Sequence, residues 1–334
     1  MTTYKTIDLF AGIGGIRLGF EQAFQKEAHT VFVSEWDKWA AQTYRENFGE
    51  SPAVAGDITK IQAADVPPFD ICLAGFPCQA FSFAGQRKGF EDDYKGQSRG
   101  TLFAEVVRIC DFHKPKVIFC ENVKGLMRHD KGRTLEIICG SFEEIGYKVF
   151  TKVLNSRHFG VPQNRERIYI VCFREDIAPE NFVFPTHAGR KKVLRDILEE
   201  APIPSKYYLS DRYMSVLRAH RARHEAAGHG FGYVIRDLDD VSGAIVCGGM
   251  GREGNLIKDS RPHSMIPTTN IKGTINSDDI RKLTPREWAR LQGFPDSFSL
   301  SEADTHLYKQ LGNAVSVPVI SAIAKRIKAA LDEG

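Results

Sequence analysis

The chain has 334 residues, 42% hydrophobic and 26% charged, with a formal net charge of +3. That length and balance suit a soluble globular protein with one large core and a smaller second one. No run of about eighteen apolar residues occurs, and the start Met1-Thr2-Thr3-Tyr4-Lys5 lacks a secretory signal's apolar stretch. A membrane span and export are therefore not expected, and the expected location is the cytoplasm, beside the nucleoid.

Thr6–Phe10 reads as a strand, followed by a Gly-rich turn and a helix over Ile16–Phe24. Val31–Ser34 predicts a second strand, with a helix through Trp39 and Tyr44. Ile71–Ala74, Val117–Cys120 and Ile168–Phe173 are further apolar runs of strand length, with helical stretches at Leu102–Cys110 and Thr134–Glu144. This alternation predicts an α/β fold, a mostly parallel sheet with helices on both faces, over residues 1–185. The pattern breaks at Phe184-Pro185. Residues 186–283, rich in Gly, Pro, Asn and Asp, read as a smaller, loop-rich, mainly β domain with pieces such as Ala244–Cys247. Residues 284–334 read as a hinge and a C-terminal helix. Thr284 is the expected N-cap, Pro285 the first helical residue, and Val317–Leu331 an amphipathic helix.

The seven Cys are odd in number and form no CxxC pair, so neither a disulfide framework nor a metal site is expected. Most of these thiols read as small buried apolar groups. From Thr186 to Pro285 there are sixteen Lys and Arg against twelve Asp and Glu, while the rest of the chain has twenty-nine against thirty. A basic excess confined to one segment fits a surface that faces a polyanion.

Asp8-Leu9-Phe10-Ala11-Gly12-Ile13-Gly14-Gly15 ends a strand and opens a helix, where Gly lets the backbone approach a ligand closely. Arg17 stands where a dinucleotide signature carries its third Gly, which disfavours an NAD-dependent oxidoreductase. Glu35 is placed to accept bonds from ribose hydroxyls, Trp36 offers a flat face to adenine, and Asp57-Ile58 reaches the adenine edge. With no phosphate-cradling loop, S-adenosylmethionine is the leading ligand. Cys78 follows Gly75-Phe76-Pro77 at the carboxyl edge of the sheet, where a thiol is accessible. Glu121, after the next apolar run, is suited to hydrogen-bond a ring nitrogen and make the ring electrophilic. Arg165 and Arg167, in Gln163-Asn164-Arg165-Glu166-Arg167, are suited to hold a phosphate or a substrate carbonyl.

Taken in order, these motifs resemble those of the bacterial DNA (cytosine-5) methyltransferases, close to the Hha-type restriction-modification enzymes. Gly75-Phe76-Pro77-Cys78-Gln79-Ala80-Phe81-Ser82 resembles the nucleophile motif of that family, and Glu121-Asn122-Val123 its acidic motif. Arg286-Glu287 through Leu291-Gln292-Gly293-Phe294-Pro295, and Gln310-Leu311-Gly312-Asn313-Ala314-Val315, resemble its last two. The resemblance covers nearly the whole chain outside the Gly-rich middle. It implies a Rossmann-like fold with a smaller target-recognition domain, and a target cytosine flipped out of duplex DNA. Cys78 then attacks C6, Glu121 binds N3 and the exocyclic amine, Arg165 contacts the base carbonyl and helps to place Cys78, and Arg167 of the same motif completes the catalytic set.

Also implied is a cofactor pocket of Phe10, Gly12, Gly14, Gly15, Glu35, Trp36, Asp57, Ile58, Pro77, Leu102, Asn313 and Val315. It takes S-adenosylmethionine and releases S-adenosylhomocysteine. Gln79, Ser82, Arg99, Met250, Arg252 and Thr268 are the DNA-contacting residues implied. A monomer is expected, paired in function with a restriction endonuclease without touching it. The loop near Asp93–Gln97 looks about five residues longer than is usual in the family, a change that costs little. Met250, in Gly248-Gly249-Met250-Gly251-Arg252, reads either as an apolar wedge filling the place of the flipped base or as part of a flexible loop. A related tRNA-type methyltransferase carries a smaller recognition segment. The roughly hundred-residue basic middle favours DNA. A catalytically silent DNA-binding regulator is disfavoured by the intact Cys78, Glu121 and Arg165. Arg218, Arg221, Arg223, Arg236, Arg252 and Asn255 are candidate base readers.

Overall fold

A computed structural model describes residues 3–77, 93–94, 97–98, 100–248, 250–261 and 274–333. The elements run β1 (Tyr4–Leu9), α1 (Gly15–Phe24), β2 (Ala28–Ser34), α2 (Lys38–Phe48), β3 (Val54–Ala55) and β4 (Ile71–Ala74). Then come β5 (Asp93–Tyr94), β6 (Gln97–Ser98), α3 (Gly100–His113), β7 (Val117–Val123), α4 (Arg133–Glu144), β8 (Tyr147–Asn155), β9 (Gln163–Asn164) and β10 (Glu166–Arg174). The remainder is α5 (Asp211–Ala226), β11 (Ile235–Arg236), β12 (Ser242–Gly243), β13 (Leu256–Lys258), β14 (Ile280–Lys282), α6 (Pro285–Gln292), α7 (Asp304–Asn313) and α8 (Val317–Glu333). No described helix is long and apolar enough to cross a membrane.

The chain divides into two compact units, 1–155 with 166–188 and 315–334, and 156–165 with 189–314. The first unit carries a seven-stranded sheet in the order β3-β2-β1-β4-β7-β10-β8. Strands β1, β2, β3, β4 and β7 are mutually parallel, and β10 runs antiparallel to both β7 and β8. Each strand and helix expected over the first half is present, so the alternating pattern did report a mostly parallel sheet. The core is the apolar interior of these strands with α3 and α4, including Leu9, Cys72, Val106, Ile118, Phe142 and Ile170. Helix α8 lies on α1. A Cβ on Gly19 would sit 2.6 Å from Ile320, so only Gly permits that approach, and Lys328 pairs with Glu27 at 3.0 Å.

The register fixes where chemistry can sit. Leu9 is opposite Ser34 and Ala74, and Ala74 is opposite Cys120, so β1, β2, β4 and β7 end on one edge. Because β10 returns antiparallel, its first residues meet the end of β7, with Arg167 opposite Val123 and Tyr169 opposite Glu121.

The second unit is built differently. Its strands have two or three residues each, and its longest element is the sixteen-residue α5. Ala244–Cys247, expected as a β piece, lies outside any strand. The reason is local: the Ile245 N–H donates to Gln163 Oε1 and the Ile245 carbonyl accepts from Arg165, so side chains take the bonds a ladder would use. Thr284 does cap α6. Its hydroxyl accepts from the Glu287 N–H at 3.1 Å, and the Glu287 carboxylate accepts from the Thr284 N–H at 2.8 Å.

Glu287 also binds Arg281 through both its oxygens, at 2.7 and 2.8 Å, while Arg281 Nε donates to Asp259 at 2.7 Å. Burial opposes charge on Arg281 and Asp259, and the pairing overcomes it. It holds the Arg281 pKa above its ordinary value and, with Arg261, holds Asp259 well below the usual carboxylate range.

Candidate active site

The ends of β1, β2 and β3 are stitched together around the Gly-rich turn. The Ala11 N–H donates to the Ser34 carbonyl at 3.1 Å, and the Ser34 hydroxyl donates to the Gly56 carbonyl at 2.9 Å. Glu35 accepts from the Gly12 N–H at 2.7 Å and from the Asp37 N–H at 2.6 Å. Burial raises its pKa, and those two N–H groups oppose the rise. Phe10 leaves the strand at φ 56, a left-handed conformation that a bulky residue rarely adopts. Trp36, the next residue past Glu35, is 68% exposed. Gly12 is left-handed, and a Cβ there would meet nothing within 4 Å, so space lies open beside it. Gly14 is obligatory for the opposite reason, since a Cβ would stand 2.2 Å from the Phe48 ring.

Arg17 explains the missing third Gly. Its Nε binds Glu21 at 2.6 Å, its Nη1 donates to the Tyr44 hydroxyl at 3.1 Å, and its guanidinium lies 4.3 Å from the Phe48 ring centre. It thus ties α1 to α2. Beneath it, burial pushes the Asp8 carboxyl up to about 7, with Arg17 opposing the rise and Glu35 adding to it.

Asp57 caps a short turn, accepting from the Thr59 N–H and hydroxyl at 3.1 and 2.7 Å, and Ile58 is buried. Leu102 packs on the sheet core from α3. Val315 is buried in the first unit, and Asn313 is the exposed last residue of α7 in the second.

Beyond β4 the chain continues through Gly75 and buried Phe76 to exposed Pro77. The Asn122 Nδ2 donates to the Phe76 carbonyl at 3.0 Å, and Asn122 Oδ1 accepts from the Val123 N–H at 2.8 Å. The end of β4 is thereby fastened to the end of β7. Glu121 is nearly buried, and its Oε1 lies 3.2 Å from Arg167 Nε. The nucleophile candidate Cys78 lies outside the described residues, as do Gln79, Ser82, Arg99 and Thr268. Among the other cysteines, burial pushes the thiols of Cys72, Cys110, Cys120 and Cys172 up, which makes them poor nucleophiles. Cys247 alone of the described ones is exposed.

The second unit gathers three of the motifs into one buried knot. Arg165 is 3% exposed and donates to the carbonyls of Ile245 and Ala314 at 2.8 and 2.7 Å. Gln163 donates to Leu291 and Gln292, and Gln292 donates in turn to Leu311 and Ala314, all at 3.0 to 3.1 Å. Asn122 in the first unit and Gln163 and Gln292 in the second hold these backbones, roles that the sequence did not assign to them. Each is a buried amide at a strand or helix end, a placement that favours a fixed backbone-binding role. Met250 is half-buried and packs with Tyr213 and Tyr233 against Leu209, Met214, Leu217, Leu256 and Ile280. Arg252 is exposed, 5.3 Å from the Tyr308 ring centre. Of the candidate base readers, Asn255 is buried and accepts from the Gly243 N–H and from Arg236, so both serve the fold. Arg218 pairs with Asp278 and Arg221 with Glu225.

The profile of the C-5 cytosine-specific DNA methylases matches residues 4–329. The chain is 52% identical over 328 residues to the Type II methyltransferase M.HpaII of Haemophilus parainfluenzae, covering 97% of this chain and 89% of that one. It is 38% identical over 342 residues to the Type II methyltransferase M.HhaI of Haemophilus parahaemolyticus, covering 99% and 96%. Among solved structures it superposes on the S. pombe Dnmt2 methyltransferase with a TM-score of 0.74 at 20% identity over 99% of both chains, a likeness of fold.

Proposed function

The chain belongs to the C-5 cytosine-specific DNA methylases and is a DNA (cytosine-5) methyltransferase; from that premise we propose how its residues divide the work. The target cytosine leaves the duplex, since its C5 and C6 atoms are out of reach while stacked. Cys78, as thiolate, adds to C6. Glu121 hydrogen-bonds N3 and the exocyclic amine, drawing electron density from the ring and favouring that addition. Arg167, already on Glu121, fixes its orientation. Arg165 directs its guanidinium at the base carbonyl; two of its N–H donors hold Ile245 and Ala314. After methylation, loss of the C5 proton lets the Cys78 sulfur leave C6, which restores both the aromatic ring and the thiolate.

The turn beside Glu35 suits S-adenosylmethionine: the face of Trp36 is exposed, Phe10 is held left-handed, and space is open at Gly12. S-adenosylmethionine held there would supply an electrophilic methyl group for C5, leaving S-adenosylhomocysteine as product. Phe10 and Trp36 would hold the adenine between them, Glu35 the ribose hydroxyls, and Asp57 and Ile58 the adenine edge. Gly12, Gly14, Gly15, Pro77, Leu102, Asn313 and Val315 complete the lining. The second unit reads the DNA, with Gln79, Ser82, Arg99, Met250, Arg252 and Thr268 among the contacts. The enzyme acts as a monomer and as the modification half of a restriction-modification pair.

The observation that carries this reading is the junction at the sheet edge. Asn122 holds Phe76, two residues before Cys78, and the adjacent Glu121 carries Arg167. Bisulfite sequencing of a bacterial genome expressing the chain tests it. Protected cytosines within one short motif are expected, and none with Cys78→Ser. Unprotected cytosines with the intact chain contradict it.

A further inference from the structure

Within the second unit, a pocket of about 100 Å³ opens beside the Gly-rich stretch that carries Met250. Its floor is aromatic. Trp288 and Tyr308 meet edge to face with ring centres 4.8 Å apart, and both are buried. The Tyr308 hydroxyl donates to the Leu283 carbonyl at 2.6 Å, which locks that ring. Its rim is cationic. Arg252 comes from the Gly-rich stretch and Lys309 from α7, with the exposed Thr305 hydroxyl and Cys247 thiol beside them. Among the described residues lining it, none is acidic.

The rim is a built feature. A Cβ on Gly312 would lie 2.5 Å from the Cys247 nitrogen, so α7 is pressed against that backbone. A Cβ on Gly251 would lie 2.3 Å from the Val246 carbonyl oxygen, so the stretch is folded closely on itself. The stacking of Arg252 on Tyr308 further restrains the guanidinium. Two elements far apart in sequence thus present their cations to one small space.

We infer that this pocket holds a backbone phosphate of the DNA strand, gripped by Arg252 and Lys309 with Thr305 as a neutral donor. The inference rests on the reading of the chain as a DNA methyltransferase and adds a phosphate anchor and a residue, Lys309, to it. Two cations and a hydroxyl match the acceptor-only oxygens of a phosphodiester. The anchor lies two residues from Met250, and so sets the register of the strand against the stretch on which Met250 stands.

The test uses the full chain and a duplex carrying the motif found by bisulfite sequencing. Its dissociation constant is measured by fluorescence anisotropy across a salt series. Removing a cation that neutralises one phosphate lowers the slope of log affinity against log salt by about 0.9. Lys309→Ala and Arg252→Ala are each expected to lower it by about that much, and Lys309→Arg to restore it. The affinity loss is expected to be the same for the intact motif and for duplexes with single base-pair changes. DNA is also expected to slow alkylation of Cys247, followed by peptide mass mapping. An unchanged slope in Lys309→Ala overturns the inference, and so does a loss confined to one base-pair change, which would mark a base reader. Failure of the intact chain to bind any duplex would instead sink the DNA reading itself.

Discussion

Glu121→Gln is expected to lower methyl transfer by roughly two to four orders of magnitude, the range set by a positioned acid or base acting in a transition state. The substitution keeps the volume and one hydrogen-bonding oxygen. It removes the negative charge and the ability to exchange a proton with N3. It also removes the charge opposite Arg167 at 3.2 Å, in a pair whose side chains are 11% and 13% exposed. Some loss of thermal stability therefore accompanies it, because an unmatched and largely buried guanidinium is costly. Binding of S-adenosylhomocysteine, followed through the fluorescence of exposed Trp36, should stay within about twofold, since differential effects on turnover rather than binding mark a transition-state role. Turnover close to the unsubstituted level would contradict the assignment of Glu121.

Arg281→Ala is expected to destabilise the second unit by about 3–5 kcal/mol, the usual cost of removing one member of a buried ionic cluster. The Arg281 and Glu287 side chains are wholly buried, and Asp259 is nearly so. Without the guanidinium, the buried Glu287 carboxylate loses its charged partner, and Asp259 keeps only Arg261. Glu287 is also the capping-box partner of Thr284, so the start of α6 should loosen as well. Arg261→Ala should cost much less, because its side chain is 36% exposed and water screens the pair. Urea unfolding at neutral pH measures both, and equal losses would contradict the ranking. The sign of the pH dependence follows from Asp259. A carboxyl held below its unfolded pKa contributes stability at neutral pH, and that stability disappears only as acid brings the pH down through the depressed value.

Much of the first unit is legible in the sequence, because parallel strands buried on both faces are continuous apolar runs and stand out as such. Ile71–Ala74 and Val117–Cys120 are wholly buried and were legible. Strand β8 was not. It is an edge strand whose Lys148 and Lys152 interrupt the apolar pattern, and most of its residues are half-exposed or exposed. Helix α5 was missed for a related reason. Only Met214 and Leu217 are buried along its sixteen residues, so no apolar stripe marks it.

Residues that carry charge or a ring are the easiest candidates to pick from a sequence, and Glu121, Glu35 and Trp36 do stand at strand ends. The buried amides are harder to pick, since Asn122, Gln163 and Gln292 act by binding carbonyls distant in sequence. Arg165 stood out in the sequence as a candidate for the site. The sequence could not reveal that it also braces Ile245 and Ala314, because that bracing depends on segments about eighty and one hundred and fifty positions away.

Cys78 is expected to form a bond to C6 of a cytosine in DNA. A duplex carrying 5-fluorocytosine at the target tests it most directly. Fluorine at C5 cannot leave as a proton does, so the sulfur–carbon bond persists once the methyl group has been transferred. Intact protein with S-adenosylmethionine should yield a complex that survives denaturing electrophoresis, and Cys78→Ser should yield none. Absence of the complex with the intact protein, or its undiminished formation with Cys78→Ser, would contradict the account.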